Sequence, residues 1–247
     1  MKCVKFFHRT TAETPLCLSP TRGGNICYMM KKNNPALLPK HRAAIVLREL
    51  KKLCPDAGMI LKFSNSWELL VAVQLSAQCT DKKVNEVTKT LFKKYTTLDH
   101  YVQARSAEFQ KDIFQTGFYK NKTKNILAAA KMVHETFHGK IPQTMQEMLT
   151  IPGVGRKTAN VVLGNAYGIV EGIAVDTHVH RLSRLFGLTN QNDPNKIEQD
   201  LIKILPKKEW FSWTYRVIDY GRKYCTARCK HENCPIMKTL KQRNMKT

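Results

Sequence analysis

The chain has 247 residues, of which 43% are hydrophobic and 9% aromatic, enough for one large or two small domains with a packed core. Lysine and arginine number 41 against 19 acidic residues, a formal net charge of +22, which favours a polyanionic partner: nucleic acid first, an anionic membrane surface second. No apolar run approaches the roughly 18 residues that a membrane-spanning helix needs. The eight cysteines, at 3, 17, 27, 54, 79, 225, 229 and 234, are too scattered for a secreted disulfide framework and point to a reducing cytosol with mostly free thiols.

Residues 1–35 mix Thr, Pro, Gly, Arg and Lys without apolar periodicity, and Glu13 is their one acidic residue. This composition predicts a disordered basic tail. A mitochondrial presequence is a second reading of the same basic bias, although no amphipathic helix supports it. Met29 or Met30 as the true start is a third. From Pro39 the pattern turns helical. Residues 42–53 place Ile45, Val46, Leu50 and Leu53 at 3–4 spacing and stop at Cys54-Pro55. Ser66 is placed to cap residues 67–75, which are apolar almost all round and therefore read as a buried helix. In the polar link after it, Gln78 and Thr80-Asp81 read as caps and connectors. Further helices are predicted at roughly 80–95, 106–115, 121–138, 144–150, 156–165, 177–186, 194–205 and 209–222. The one at 121–138 sets Ile126, Ala129, Ala130, Val133 and Phe137 on one face. No alternating strand pattern occurs, so the predicted class is all-α.

The most informative stretch is Ile151-Pro152-Gly153-Val154-Gly155-Arg156-Lys157-Thr158-Ala159, followed by Val175-Asp176-Thr177-His178. Thr144 and Glu147 form a capping box for a short helix. Pro152 and Gly153 end that helix, and a second begins after Gly155. Two glycines at a helix N-terminus leave backbone N–H groups open to an anion such as a DNA phosphate. Lys157 lies in the first turn of the second helix, where the positive end of the helix disfavours an ammonium and partial burial acts in the same direction. A neutral lysine amine is a nucleophile that forms Schiff bases, and a carboxylate such as Asp176 stabilises developing positive charge and handles protons. The residues alone leave two plainer readings open: Lys157 as a phosphate contact or solvated charge, and Asp176 as an N-cap. His178 and His180, two residues apart on a helix, face different ways and read as packing or hydrogen-bonding residues.

The runs LTIPGVGRKTANVVLGNAYG and IAVDTHVHRLSRLFGL resemble the helix-hairpin-helix and catalytic segment of the endonuclease III family of DNA repair glycosylases, with the loop Gly168 to Gly172 one residue longer than usual. The likeness extends from about Pro39 to Pro235. It implies a two-domain helix-hairpin-helix glycosylase fold with the active site in a cleft between domains. The domains would be a six-helix unit at about 59–169, and a second unit made of 36–58 and 170–247. It implies a bifunctional DNA glycosylase and abasic-site lyase, acting on damaged double-stranded DNA, with Lys157 attacking the deoxyribose and Asp176 assisting. In the family the glutamine matching Gln78 enters the DNA stack, and Phe118 stands where an aliphatic wedge is usual. Without the resemblance Phe118 reads equally as a core residue. Gly153, Val154, Gly155 and Arg156 of the hairpin and Lys120 of the second loop would contact DNA. Lys120, Lys122 and Lys124 read either as phosphate contacts or as solvated charge. A non-catalytic helix-hairpin-helix DNA-binding module is the alternative, and it needs neither Lys157 nor Asp176. A monomer in the cytoplasm, associated with the nucleoid, completes the expectation, with organellar import as the other reading of the tail.

The C-terminal cysteines depart from the family. Many members hold a [4Fe–4S] cluster on C-x6-C-x2-C-x5-C, whereas here Cys225, Cys229 and Cys234 follow C-x3-C-x4-C and Leu240 stands where the fourth thiolate would fall. Four thiolates are the normal requirement of such a cluster. His231 would complete a Cys3His zinc site, although its one-residue gap from Cys229 is tight. The spacing therefore predicts no metal, with zinc or a cluster bearing one non-cysteine ligand as alternatives. Trp210, Trp213 and Tyr220 would hold the loop by packing.

Overall fold

The computed structural model describes residues 38–231 and 233–244. The expectations for the 1–35 tail, for a start at Met29 or Met30, and for Cys3, Cys17 and Cys27 lie outside the described residues. The helices are α1 (Pro39–Leu53), α2 (Ser66–Leu75), α3 (Asp81–Lys94), α4 (Leu98–Val102), α5 (Ser106–Ile113), α6 (Tyr119–Glu135), α7 (Met145–Met148), α8 (Arg156–Tyr167), α9 (Thr177–Leu185), α10 (Pro194–Ile204), α11 (Trp210–Lys223) and α12 (Pro235–Asn244). No strand occurs among the described residues, as the all-α expectation requires.

Two helices were not predicted. The α4 helix, at five residues, is too short to show a 3.6-residue period, and it forms because Thr97 caps it through the His100 amide. The α12 helix opens with Pro235 at its first position, a start signal legible in the sequence. The cap of α2 is corrected by one residue: Asn65, not Ser66, accepts the Glu68 amide at 2.9 Å, and the Glu68 carboxylate accepts the Ser64 amide at 2.6 Å.

The described residues build two apolar cores. The first gathers side chains from Leu61 to Leu163, plus Ala174. Its centre is α2, in which every residue from Leu69 to Leu75 is buried, and it packs on α3, α6 and α8. Leu69, Leu70 and Leu75 are wholly covered, so truncating any of them to alanine costs about 2–5 kcal/mol. The second core joins α1 to α9, α10, α11 and α12 around Trp213, Phe186 and Tyr220. Between the cores runs Ile173-Ala174-Val175, whose side chains alternate. Ile173 and Val175 enter the second core and Ala174 the first. Its backbone is pinned on both sides, by the Glu198 carboxylate accepting the Ile173 amide at 3.1 Å and by the Thr214 hydroxyl donating to the Ala174 carbonyl at 2.9 Å. Asp176 is the next residue along, so its place is fixed by both cores.

Candidate active site

The hairpin forms as its residue types require. Thr144 caps α7 by accepting the Glu147 amide at 3.3 Å, and its hydroxyl donates to the Glu147 carboxylate at 2.6 Å. Gly153 has φ +77°, and a Cβ there would stand 2.8 Å from Asn125 Cβ, so both conformation and close approach demand glycine. Buried Gln74 holds the turn from beneath, donating to the Pro152 carbonyl at 3.0 Å. Gly155 is the N-cap of α8 and offers no side chain to the first amides of that helix. Gly153 and Gly155 are exposed, while the Val154 side chain is buried in the first core. This leaves the backbone as the hairpin's outward chemistry.

The Arg156 side chain is already committed. It donates to Glu198 at 2.5 Å, and Glu198, only 2% exposed, also accepts from Asn160 Nδ2 and from the Ile173 amide, each at 3.1 Å. Buried Gly172 lies against this carboxylate so closely that a Cβ would collide with it. One buried anion thus ties the start of α8 to the inter-core segment that carries Asp176.

Lys157 stands one residue beyond Arg156 with its side chain open to solvent. Among the described residues it makes no hydrogen bond or ion pair. The surrounding protein still displaces enough water to push its pKa below the usual lysine range, opposed by the charges of Asp176 and then Asp81. Half-buried Asp176 is the N-cap of α9, its Oδ1 accepting the Val179 amide at 2.8 Å. The N-cap reading of Asp176 is thus met, and the cap fixes the carboxylate where its charge acts on Lys157.

Asp81, read from the sequence only as a cap and connector, is the second charge acting on Lys157. It opens α3 and pairs with Arg222 of α11 at 2.7 Å, bringing elements of both cores to the same place. His178 packs against Gly221 with its Nδ1 buried and unpartnered, and burial pushes its pKa down. His180 Nε2 meets the Asn192 carbonyl at 2.9 Å, so the two histidines do face apart.

The two loops that the sequence linked to DNA share an unusual backbone. Gln78 has φ +53° and Phe118 +50°, and both side chains are exposed. Such conformations are uncommon for large residues and gather at functional sites. Phe118, 63% exposed, is not the core residue that its chemistry alone allowed. Lys120 and Lys124 lie on the surface, but Lys122 does not. Only 6% exposed, Lys122 donates to the Leu75 carbonyl and to the Thr116 carbonyl, each at 2.8 Å. Its reading as a phosphate contact or solvated charge is therefore corrected: it bridges the roots of both loops. Its place at the first of the buried i, i+4, i+7 and i+8 positions Lys122, Ile126, Ala129 and Ala130 was the available signal.

Residues 71–207 match the family model described as HhH-GPD superfamily base excision DNA repair protein. Endonuclease III of Synechocystis sp. is 48% identical over 189 residues, 76% of this chain and 86% of that protein. Endonuclease III of Bacillus subtilis is 43% identical over 200 residues, 79% and 90% of the two chains. The chain belongs to the endonuclease III family. A solved non-covalent endonuclease III–DNA complex is similar to it with a TM-score of 0.78 at 41% identity, covering 85% of this chain and 100% of that one. A trapped endonuclease III–DNA covalent intermediate gives 0.78 at 42%, covering 84% and 99%.

The endonuclease III family implies an iron–sulfur cluster at the loop between α11 and α12, and the residues here do not fit one. Leu240, at the fourth thiolate position, is 2% exposed and packs in the second core. The remaining donors of Cys225, Cys229, His231 and Cys234 all lie within 4.8 Å of one another, a group able to hold a metal ion but drawn too close to surround four irons and four sulfides. The tight gap between Cys229 and His231 is accommodated because His231 takes φ +64°. Of the three aromatic anchors expected for this region, Tyr220 bonds the start of α12. Trp213 and Tyr220 are fully buried, and the Tyr220 hydroxyl accepts the Ile236 amide at 3.2 Å at the start of α12. Trp210 donates to the Leu205 carbonyl at 3.0 Å.

Proposed function

We propose that Lys157 and Asp176 carry the reaction of a bifunctional DNA glycosylase and abasic-site lyase of base excision repair, the activity of the family to which the chain belongs. Lys157 Nζ attacks C1′ of the damaged nucleotide, and the base departs with the glycosidic electron pair. Asp176 supports the positive charge that develops on the sugar and moves protons during imine formation. The resulting Schiff base acidifies the C2′ proton. Its removal expels the 3′ phosphate by β-elimination and cuts the strand. The observation that carries this reading is Lys157 itself: a solvent-exposed amine in the first turn of a helix with no side-chain cap, its pKa lowered by the surrounding protein against the charges of Asp176 and Asp81. No step draws on a cofactor, and we assign no iron–sulfur cluster to the cysteine loop.

The backbone amides of Gly153, Val154, Gly155 and Arg156 would bind a DNA phosphate, while Lys120 adds charge. Gln78 and Phe118 would fill the duplex where the nucleotide leaves it. Oxidised pyrimidines are the substrate class we assign. The two apolar cores support two domains, at about 59–169 and at 36–58 with 170–247, with the cleft at their junction. No helix among the described residues is long and apolar enough to cross a membrane. We read the enzyme as a monomer acting on DNA in the cytoplasm, at the nucleoid, where free thiols such as Cys54 and Cys79 persist.

Borohydride trapping on an abasic or thymine-glycol duplex tests the assignment. The wild-type chain should form a covalent adduct, and Lys157→Gln should form none while still binding the duplex. An undiminished adduct in that variant would refute the nucleophile.

A further inference from the structure

The cysteine loop plays no part in the chemistry above, yet it has the features of a built site. We propose that Cys225, Cys229, His231 and Cys234 bind one zinc ion in a tetrahedral Cys3His site, replacing the cluster that the family pattern implies.

The donor set is one that zinc uses structurally, three thiolates and an imidazole. Ligands about 2.3 Å from zinc at tetrahedral angles stand about 3.8 Å apart. The donors here bracket that value. Cys229 Sγ and Cys234 Sγ are 3.1 Å apart, while His231 Nδ1 lies 3.3 Å from Cys225 Sγ and 3.9 Å from Cys234 Sγ. Small side-chain rotations bring all four to one centre.

The surroundings suit an anionic site. One zinc with three thiolates carries a net charge of −1, and donors are in place to receive it. Arg181 Nη1 lies 3.6 Å from Cys225 Sγ, and its Nη2 holds the Cys225 carbonyl at 2.5 Å. The His231 amide donates to Cys229 Sγ at 3.3 Å. Such contacts orient ligands and stabilise thiolates. Cys225 and Cys234 are buried, while Cys229 and His231 remain partly open, which gives the ion a path in. Binding converts three thiols to thiolates and releases three protons, so occupancy falls in acid.

The fold also explains why zinc is sufficient. With Leu240 in the second core, α12 is held by its own packing, and the metal has only to close the loop that leads into it. This proposal does not depend on the role of Lys157.

The full chain, expressed with iron and zinc both supplied and purified anaerobically with thiols reduced, is assayed by elemental analysis and native mass spectrometry. The expected result is roughly one zinc per chain and no iron or acid-labile sulfide. Replacing zinc by cobalt should produce the visible bands of a tetrahedral thiolate complex. His231→Ala and Cys229→Ser, chosen because both residues are partly exposed, should lose the metal and these bands. His231→Cys should keep them. Chelation should lower the melting temperature of the wild type and leave that of His231→Ala unchanged. Iron with labile sulfide would overturn the proposal. So would failure of the reduced wild type to take up zinc or cobalt, a Cys229–Cys234 disulfide that persists under those conditions, or full metal content in His231→Ala.

Discussion

Lys122→Met tests the bridge between the two strained loops. The substitution keeps most of the buried stem and removes the ammonium. Two carbonyls, of Leu75 and Thr116, each lose a 2.8 Å bond to a charged donor. A bond of that kind contributes about 1.5–3 kcal/mol, so the pair contributes about 3–6 kcal/mol. Part is regained because an ammonium no longer has to be desolvated, a cost visible in the downward push on the Lys122 pKa. The net loss should be about 2–4 kcal/mol, in the range of broken buried networks. The carbonyls lie just before Gln78 and Phe118, so the damage should not stop at stability. Cleavage of a pre-formed abasic duplex under single-turnover conditions should slow about tenfold or more, since 1.4 kcal/mol of lost positioning is tenfold in rate. Urea unfolding and the cleavage assay, run at a temperature where the variant is folded, report the two effects separately. Stability within about 0.5 kcal/mol of wild type together with an unchanged rate would refute the reasoning.

Three other outcomes follow from the same geometry. Trapping should accelerate with rising pH as Lys157 loses its proton, through a midpoint below the usual lysine range. Asp176 is the main charge holding that pKa up, so Asp176→Asn should move the midpoint to lower pH while reducing the maximal rate, with Asp81→Asn moving it less; a midpoint that stays put in Asp176→Asn would break the coupling. Glu198→Ala strands Arg156, Asn160 and the Ile173 amide and should cost about 3–5 kcal/mol in denaturant unfolding, with Glu198→Gln costing less. Equal losses in the two variants would show that the charge of Glu198 is immaterial. With a net charge of +22, DNA affinity should fall steeply with salt, each neutralised phosphate adding about 0.9 to the log–log slope, and a slope near zero would assign the charge to another partner.

The sequence by itself determined whatever depends on neighbours along the chain. Helical period and apolar content gave the all-α class and the buried α2, and Pro152, Gly153 and Gly155 marked the hairpin because proline ends a helix and glycine alone takes the left-handed turn readily. Motif likeness linked Lys157 with Asp176, which a separation of nineteen positions conceals from any local rule. Tertiary structure alone decided the rest, because burial and partner choice are set by residues distant in sequence. Lys122 reads as one of three alternate lysines, and only the packing of α6 beneath two loops makes it a bridge. Glu198 sits in an ordinary amphipathic helix until Arg156 and Ile173 converge on it from 42 and 25 residues away. Asp81 pairs with Arg222 only because the two cores meet there. The cysteine loop shows the limit of spacing rules most clearly. A linear pattern counts residues between candidate ligands, but only the fold decides that the donor atoms of Cys225, Cys229, His231 and Cys234 lie within 4.8 Å of one another.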